Sequence, residues 1–107
     1  MSSIRSKIKQ RLEKFIELDA NGVRSQILSV FLKLKEATVD TIYETLAKKR
    51  DISRSAVASM IGYIHSKLGI LRAHKESYKT PIVYSIREDY VDMIKAALNS
   101  RSTAIAI

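Results

Sequence analysis

The chain has 107 residues, 46% hydrophobic and 28% charged, which suits one soluble domain with a single modest core. No apolar run approaches the roughly 20 residues that cross a bilayer, the N-terminal stretch lacks the continuous apolar segment of a signal peptide, and the absence of Cys excludes disulfides, thiolate metal sites and a catalytic thiol. Lys+Arg number 19 against 11 Asp+Glu, a net charge of +8 that favours a polyanionic partner, nucleic acid above all.

The excess charge is regional. Arg5, Lys7, Lys9, Arg11 and Lys14 face Glu13 alone near the N-terminus, and Arg54, Lys67, Arg72, Lys75 and Lys79 face Glu76 alone over residues 52–80. Ile4, Ile8, Leu12, Phe15 and Ile16 share one stripe and predict a first helix over residues 3–18. Asp19-Ala20-Asn21-Gly22 breaks it, with Gly22 as a turn residue. A second helix, about 23–35, turns Val23, Ile27, Val30, Phe31 and Leu34 inward, and Lys33 and Lys35 complement its dipole. Ala37-Thr38-Val39 has room only for a small edge strand. Thr38 is then an N-cap with Asp40 in the first turn of a short helix that runs to about Lys49 and buries Val39, Ile42 and Leu46, with Tyr43 beside them.

After the polar turn Lys48-Lys49-Arg50-Asp51 comes the stretch around which the chain is organised, Ile52 to Ile70. Ser53 is a good N-cap and Gly69 a good C-terminal stop, so a helix is predicted over 53–68. Val57, Ile61, Ile64 and Leu68 form its apolar face. At about 100° per residue, the opposite face is Ser55, Ser59, Gly62 and Ser66, with Tyr63 beside them. A solvated helix face normally carries Lys and Glu. A small, hydroxylated face lets something large come close: a nucleic-acid groove, or another helix.

Beyond Gly69 the period changes. Residues 70–75 and 82–86 read as strands of a hairpin, and Pro81, lacking an N–H, belongs at a loop or strand start. Residues 88–100 form a last helix with Tyr90, Val91, Ile94, Ala97 and Leu98 on its apolar stripe, and residues 102–107 are expected to be a loose tail. The terminal helices carry more apolar surface than one small core needs. Ile4, Ile8, Leu12, Tyr90, Ile94 and Leu98 are therefore expected to face a second copy, the other reading being that both helices cap the core of one chain.

Ala37-Thr38-Val39-Asp40-Thr41-Ile42, Ile52-Ser53-Arg54-Ser55-Ala56-Val57 and Ser66-Lys67-Leu68-Gly69-Ile70-Leu71 together resemble the winged helix-turn-helix domains of small archaeal and bacterial regulators. The resemblance covers residues 23–86, within a single domain of residues 1–101. It implies a mostly α fold with a small β-hairpin wing, extra helices at both ends, and double-stranded DNA as partner of a homodimer. The helix from Ser53 would lie in a major groove with Ser53, Arg54, Ser55, Ser59 and Tyr63 nearest the bases, and Arg72, Lys75, Tyr78 and Lys79 of the wing would meet the backbone or a minor groove. Arg54 suits either a guanine edge or a phosphate. The groove-facing surface has no Asn or Gln, which shifts weight toward phosphates and DNA shape.

Other chemistries find little support. His65 and His74 have no partners at metal-ligand spacing, Glu13, Glu17, Glu88 and Asp89 share no inferable pocket, and Gly22, Gly62 and Gly69 make no phosphate loop. No catalysis, cofactor, metal or small-molecule site is expected. The expectation is a cytoplasmic, dimeric transcription regulator; a protein-interaction module on the same fold is the second reading.

Overall fold

The computed structural model describes residues 3–19 and 21–106, with side chains through residue 100. Helix α1 (Ile4–Glu17) starts on Ser3, whose hydroxyl accepts from the Ser6 N–H at 3.1 Å. It buries Ile8, Leu12, Phe15 and Ile16. Ile4 stays 76% exposed, because the stripe begins a turn before the helix reaches the core.

Helix α2 (Val23–Leu34) follows Gly22, whose φ of 82° needs a residue without a Cβ. Glycine has no side chain with which to cap the helix, so its neighbours do. The buried Asp19 carboxylate accepts from the N–H groups of Arg24 at 3.2 Å and Ser25 at 3.0 Å, and the Asn21 side-chain oxygen from Val23 at 3.3 Å. Val23, Ile27 and Phe31 are buried as expected. Leu28 joins them, since α2 is packed by α1, α3, α5 and the sheet and buries a wide arc. Leu34 does not: it is 43% exposed at the last helical residue, where Lys35 (φ 71°) turns the chain away.

Strand β1 (Glu36–Ala37) leads to α3 (Val39–Ala47), capped by Thr38, whose hydroxyl accepts from Thr41 N–H at 3.2 Å. Ile42 and Leu46 are buried, and Val39 and Tyr43 pack on them. The turn to α4 is tied back by Arg50, which donates to Gln26 Oε1 at 2.6 Å and to the Asn21 carbonyl at 2.8 Å. Helix α4 (Arg54–Tyr63) starts on Ser53, whose Oγ accepts from Ala56 N–H at 3.1 Å. Its final stretch, Ile64–Leu68, widens into a π-helical turn closed by Gly69 N–H to the Ile64 carbonyl at 3.1 Å. Val57, Ile61, Ile64 and Leu68 are all fully buried.

Gly69 (φ 71°) sends the chain into β2 (Leu71–His74), which pairs antiparallel with β3 (Val83–Ile86) from Leu71 opposite Ile86 to His74 opposite Val83. β1 adds to the other edge of β3 with Ala37 opposite Tyr84, so the sheet order is β1-β3-β2. A 3-10 turn, Glu88–Tyr90, opens α5 (Val91–Ala106). The helix thus runs past the expected end at residue 100 and through most of the stretch expected to be a loose tail; neither Pro nor Gly interrupts Ser100 to Ala106. Ile107 lies outside the described residues.

One core joins all the helices and the sheet. This corrects the expected dimer surface. Leu12 and Ile94 are fully buried within one chain, Ile8 and Tyr90 nearly so, and Leu98 packs against the same core, because α1 and α5 pack on each other. Of the six residues expected to face a second copy, Ile4 alone is largely open.

Candidate nucleic-acid interface

The outward face of α4 is uncovered. Ser55, Ser59 and Ser66 are exposed, and a Cβ added at Gly62 would meet nothing within 4 Å. Among the described residues, no helix packs on this face. Its hydroxyls are held locally: Ser66 Oγ donates to the Gly62 carbonyl at 2.8 Å, and the Ser53 and Ser55 Oγ atoms lie 3.3 Å apart. Ser53 also caps the helix, so its oxygen is engaged while its proton remains a donor.

Arg54, at the first residue of α4, meets Asp40 in the first turn of α3. Its Nε donates to Asp40 Oδ1 at 2.5 Å, with both side chains more than half exposed. The hydrogen bond from Arg54, and its charge, hold the Asp40 carboxyl below its ordinary value, and Asp40 in turn raises Arg54. In the sequence, Asp40 marks only a favourable helix start. The two are 14 positions apart, a separation that no helical or strand period marks; they meet because the turn brings the starts of α3 and α4 together.

Tyr63 is half-exposed at the edge of the face, and its ring stacks on Phe15 of α1. Part of the N-terminal positive charge is spent on packing: Arg11 donates to the Lys67 carbonyl at 3.2 Å, and Arg5 to the Asp89 carbonyl at 2.8 Å while lying 5.3 Å from the Tyr90 ring centre. Arg87 lies 5.1 Å from the same ring and donates to the Gly69 carbonyl at 3.1 Å, fixing the exit from α4 against the start of α5.

The remaining expected residues sit on the hairpin. Arg72 is exposed on β2 opposite Ser85. Lys75, Tyr78 and Lys79 are exposed in the loop between β2 and β3, Tyr78 at 84%, with the Lys79 ammonium 5.9 Å from the Tyr78 ring centre. Ser77 and Thr80 close that loop, through Ser77 N–H to Thr80 Oγ1 at 3.1 Å and Thr80 Oγ1–H to the Ser77 carbonyl at 2.9 Å. The edge contact of His65 with Tyr84, ring centres 5.6 Å apart, joins the end of the α4 stretch to β3, so helix and wing share one support.

Behind the core, α1 and α5 flank an open groove of about 880 Å³, between Arg5, Lys9 and Glu13 on one side and Asp92, Met93 and Ala96 on the other. Among the described residues, no three of His, Asp and Glu are grouped as metal ligands would be, and no helix is long and apolar enough to cross a membrane.

A short helix, a pinned turn, a second helix with an uncovered face, and a basic hairpin on the same support define a winged helix-turn-helix protein. The chain belongs to the family described as "Protein of unknown function (DUF2551)", whose model matches residues 12–94. It is similar to an uncharacterized protein of Archaeoglobus fulgidus, 30% identical over 89 residues, which are 82% of this chain and 89% of that protein. Among solved structures it is similar to a mutant of Lactococcus lactis ZitR in apo form, with a TM-score of 0.53 and 17% identity over 99% of this chain and 78% of that one. That likeness shows the fold.

Proposed function

We propose that this protein binds duplex DNA as a dimeric, cytoplasmic transcription regulator, with α4 in the major groove and the β2–β3 hairpin on the flanking backbone. The observation that carries the reading is the face of α4: small, hydroxylated and uncovered, with Arg54 at its start and Lys67 near its end. A groove about 12 Å wide admits a helix, and small side chains let the helix axis come close to the bases. Ser53, Arg54, Ser55, Ser59 and Tyr63 then lie nearest the DNA, and Arg72, Lys75, Tyr78 and Lys79 reach the phosphates beside it. Two copies joined through α1 and α5, where the open groove and Ile4 lie, would present two α4 helices about one duplex turn, roughly 34 Å, apart.

The test is a salt series of binding to random duplex DNA followed by fluorescence anisotropy, with a Lys75→Ala/Lys79→Ala double variant alongside. Wild-type affinity should fall linearly with salt on a log-log plot, and the variant's slope should be shallower by about two, one per lost phosphate contact. No binding at low salt would remove the DNA reading and turn the same α4 face into a candidate protein-binding surface.

A further inference from the structure

Resting on the DNA-binding reading, we infer that Arg54 reads a guanine in the major groove and that Asp40 is the positioning residue that aims it. Arg54 occupies the first position of α4, at the end of the helix that enters the groove. Its one hydrogen bond uses Nε, donated to Asp40 Oδ1 at 2.5 Å; among the described residues, Nη1 and Nη2 have no partner. The pair of N–H groups left free at the tip is the fork that matches the O6 and N7 acceptors of guanine.

Charge decides between base and phosphate. Arg54 and Asp40 together carry no net charge, and a phosphate would have to approach a carboxylate to reach the arginine. The guanine edge presents neutral acceptors, so it is not repelled in this way and benefits from the orientation. Asp40 is itself held. Thr38 caps its helix through Thr41 N–H at 3.2 Å, and Arg50 pins the α3–α4 turn to Gln26 and Asn21. A long side chain restrained before binding loses less freedom when it binds. The surrounding small residues Ser55, Ser59 and Gly62 offer no competing bidentate reader, which concentrates base recognition at this one side chain.

The experiment selects binding sites from a random duplex library with wild-type protein, then measures competition by duplexes changed one base pair at a time, using wild type, Arg54→Ala and Asp40→Ala. The wild type should select a guanine whose replacement weakens binding roughly 5- to 150-fold, the range of one good bidentate contact. Arg54→Ala should lose that preference; because it also leaves the Asp40 carboxylate unpaired, binding should weaken on every sequence as well, and the flattened guanine preference is the readout. Asp40→Ala should do the reverse on charge: tighter binding to all sequences, a slope steeper by about one, and a guanine preference reduced several-fold. Both side chains are exposed, so melting temperatures near wild type are expected and check the fold. An Arg54→Ala variant that keeps the wild-type guanine preference while weakening equally on every sequence makes Arg54 a phosphate grip and overturns the inference. So does a guanine preference that survives Asp40→Ala, or a wild-type site without guanine. A wild type that binds no duplex at low salt overturns the DNA reading beneath it.

Discussion

The ring of Tyr63, at the end of α4, lies on the ring of Phe15 from α1, with centres 5.5 Å apart and planes 11° from parallel. Phe15 is buried and Tyr63 half-exposed, so the stack runs from the core to the rim of the candidate interface. The Arg24 guanidinium lies 4.7 Å from the Phe15 ring centre and donates to the Phe15 carbonyl at 3.1 Å, adding α2 to the brace. Phe15→Ala should cost about 3–5 kcal/mol in chemical denaturation, whereas Tyr63→Phe, which keeps the ring, should be neutral for stability. A double-mutant cycle with Tyr63→Ala should show coupling of about 0.5–1.5 kcal/mol. Additive effects would mean that the rings do not stack in solution.

Two glycines of the same segment should respond in opposite directions. Gly62 is helical with open space where a Cβ would go, so Gly62→Ala should stabilise the fold by about 0.5–1 kcal/mol. Gly69 has a φ of +71°, and Gly69→Ala should cost about 1–2 kcal/mol through the left-handed backbone alone. Thermal denaturation reads both. If the α4 face enters a groove, Gly62→Ala should also weaken DNA binding while raising stability, a combination that a damaged fold cannot produce.

The Asp40 carboxyl titrates below its ordinary value of 3.8, because the Arg54 guanidinium donates a hydrogen bond to it and adds a positive charge. The sign follows from the lowered value: the pair's contribution is present above the unfolded carboxyl value and is lost as pH falls through the folded one. With both groups exposed the effect on stability is small and screened by salt, so the group itself is the better readout. In a carboxyl NMR titration, Arg54→Ala should move the Asp40 midpoint upward. A midpoint that stays put would show that the pair is open in solution.

Burial separates folding from association at the terminal helices. Ile94 is fully buried within one chain, so Ile94→Ala should cost about 2–5 kcal/mol at any protein concentration. Ile4 is 76% exposed, so Ile4→Glu should leave the unfolding free energy of the single chain unchanged while shifting the sedimentation equilibrium toward monomer. A wild type that sediments as a monomer, or an Ile4→Glu variant as associated as the wild type, would move the subunit contact away from this end of α1.

Much of the fold is legible in the sequence because its signals are local. Ser3, Thr38 and Ser53 each accept the third N–H of the helix they start, a bond that depends only on residues three apart. The Val57, Ile61, Ile64, Leu68 stripe is buried as its spacing predicts. Positions at helix ends are less legible. Ile4 and Leu34 continue their stripes in sequence yet are exposed, because a stripe has no means of saying where the neighbouring helix stops covering it.

The candidate site divides in the same way. The sequence by itself determines a small, hydroxylated helix face, a basic hairpin and the regional excess of positive charge, since composition and periodicity are properties of single segments. The tertiary structure alone decides that this face is uncovered, that Leu12 and Ile94 serve the core of one chain, and that Arg54 is held by Asp40. Each of these depends on how elements far apart in the chain come to rest against one another. A turn pinned by Arg50 to the start of α2 brings two helix starts together, and no local pattern encodes that meeting.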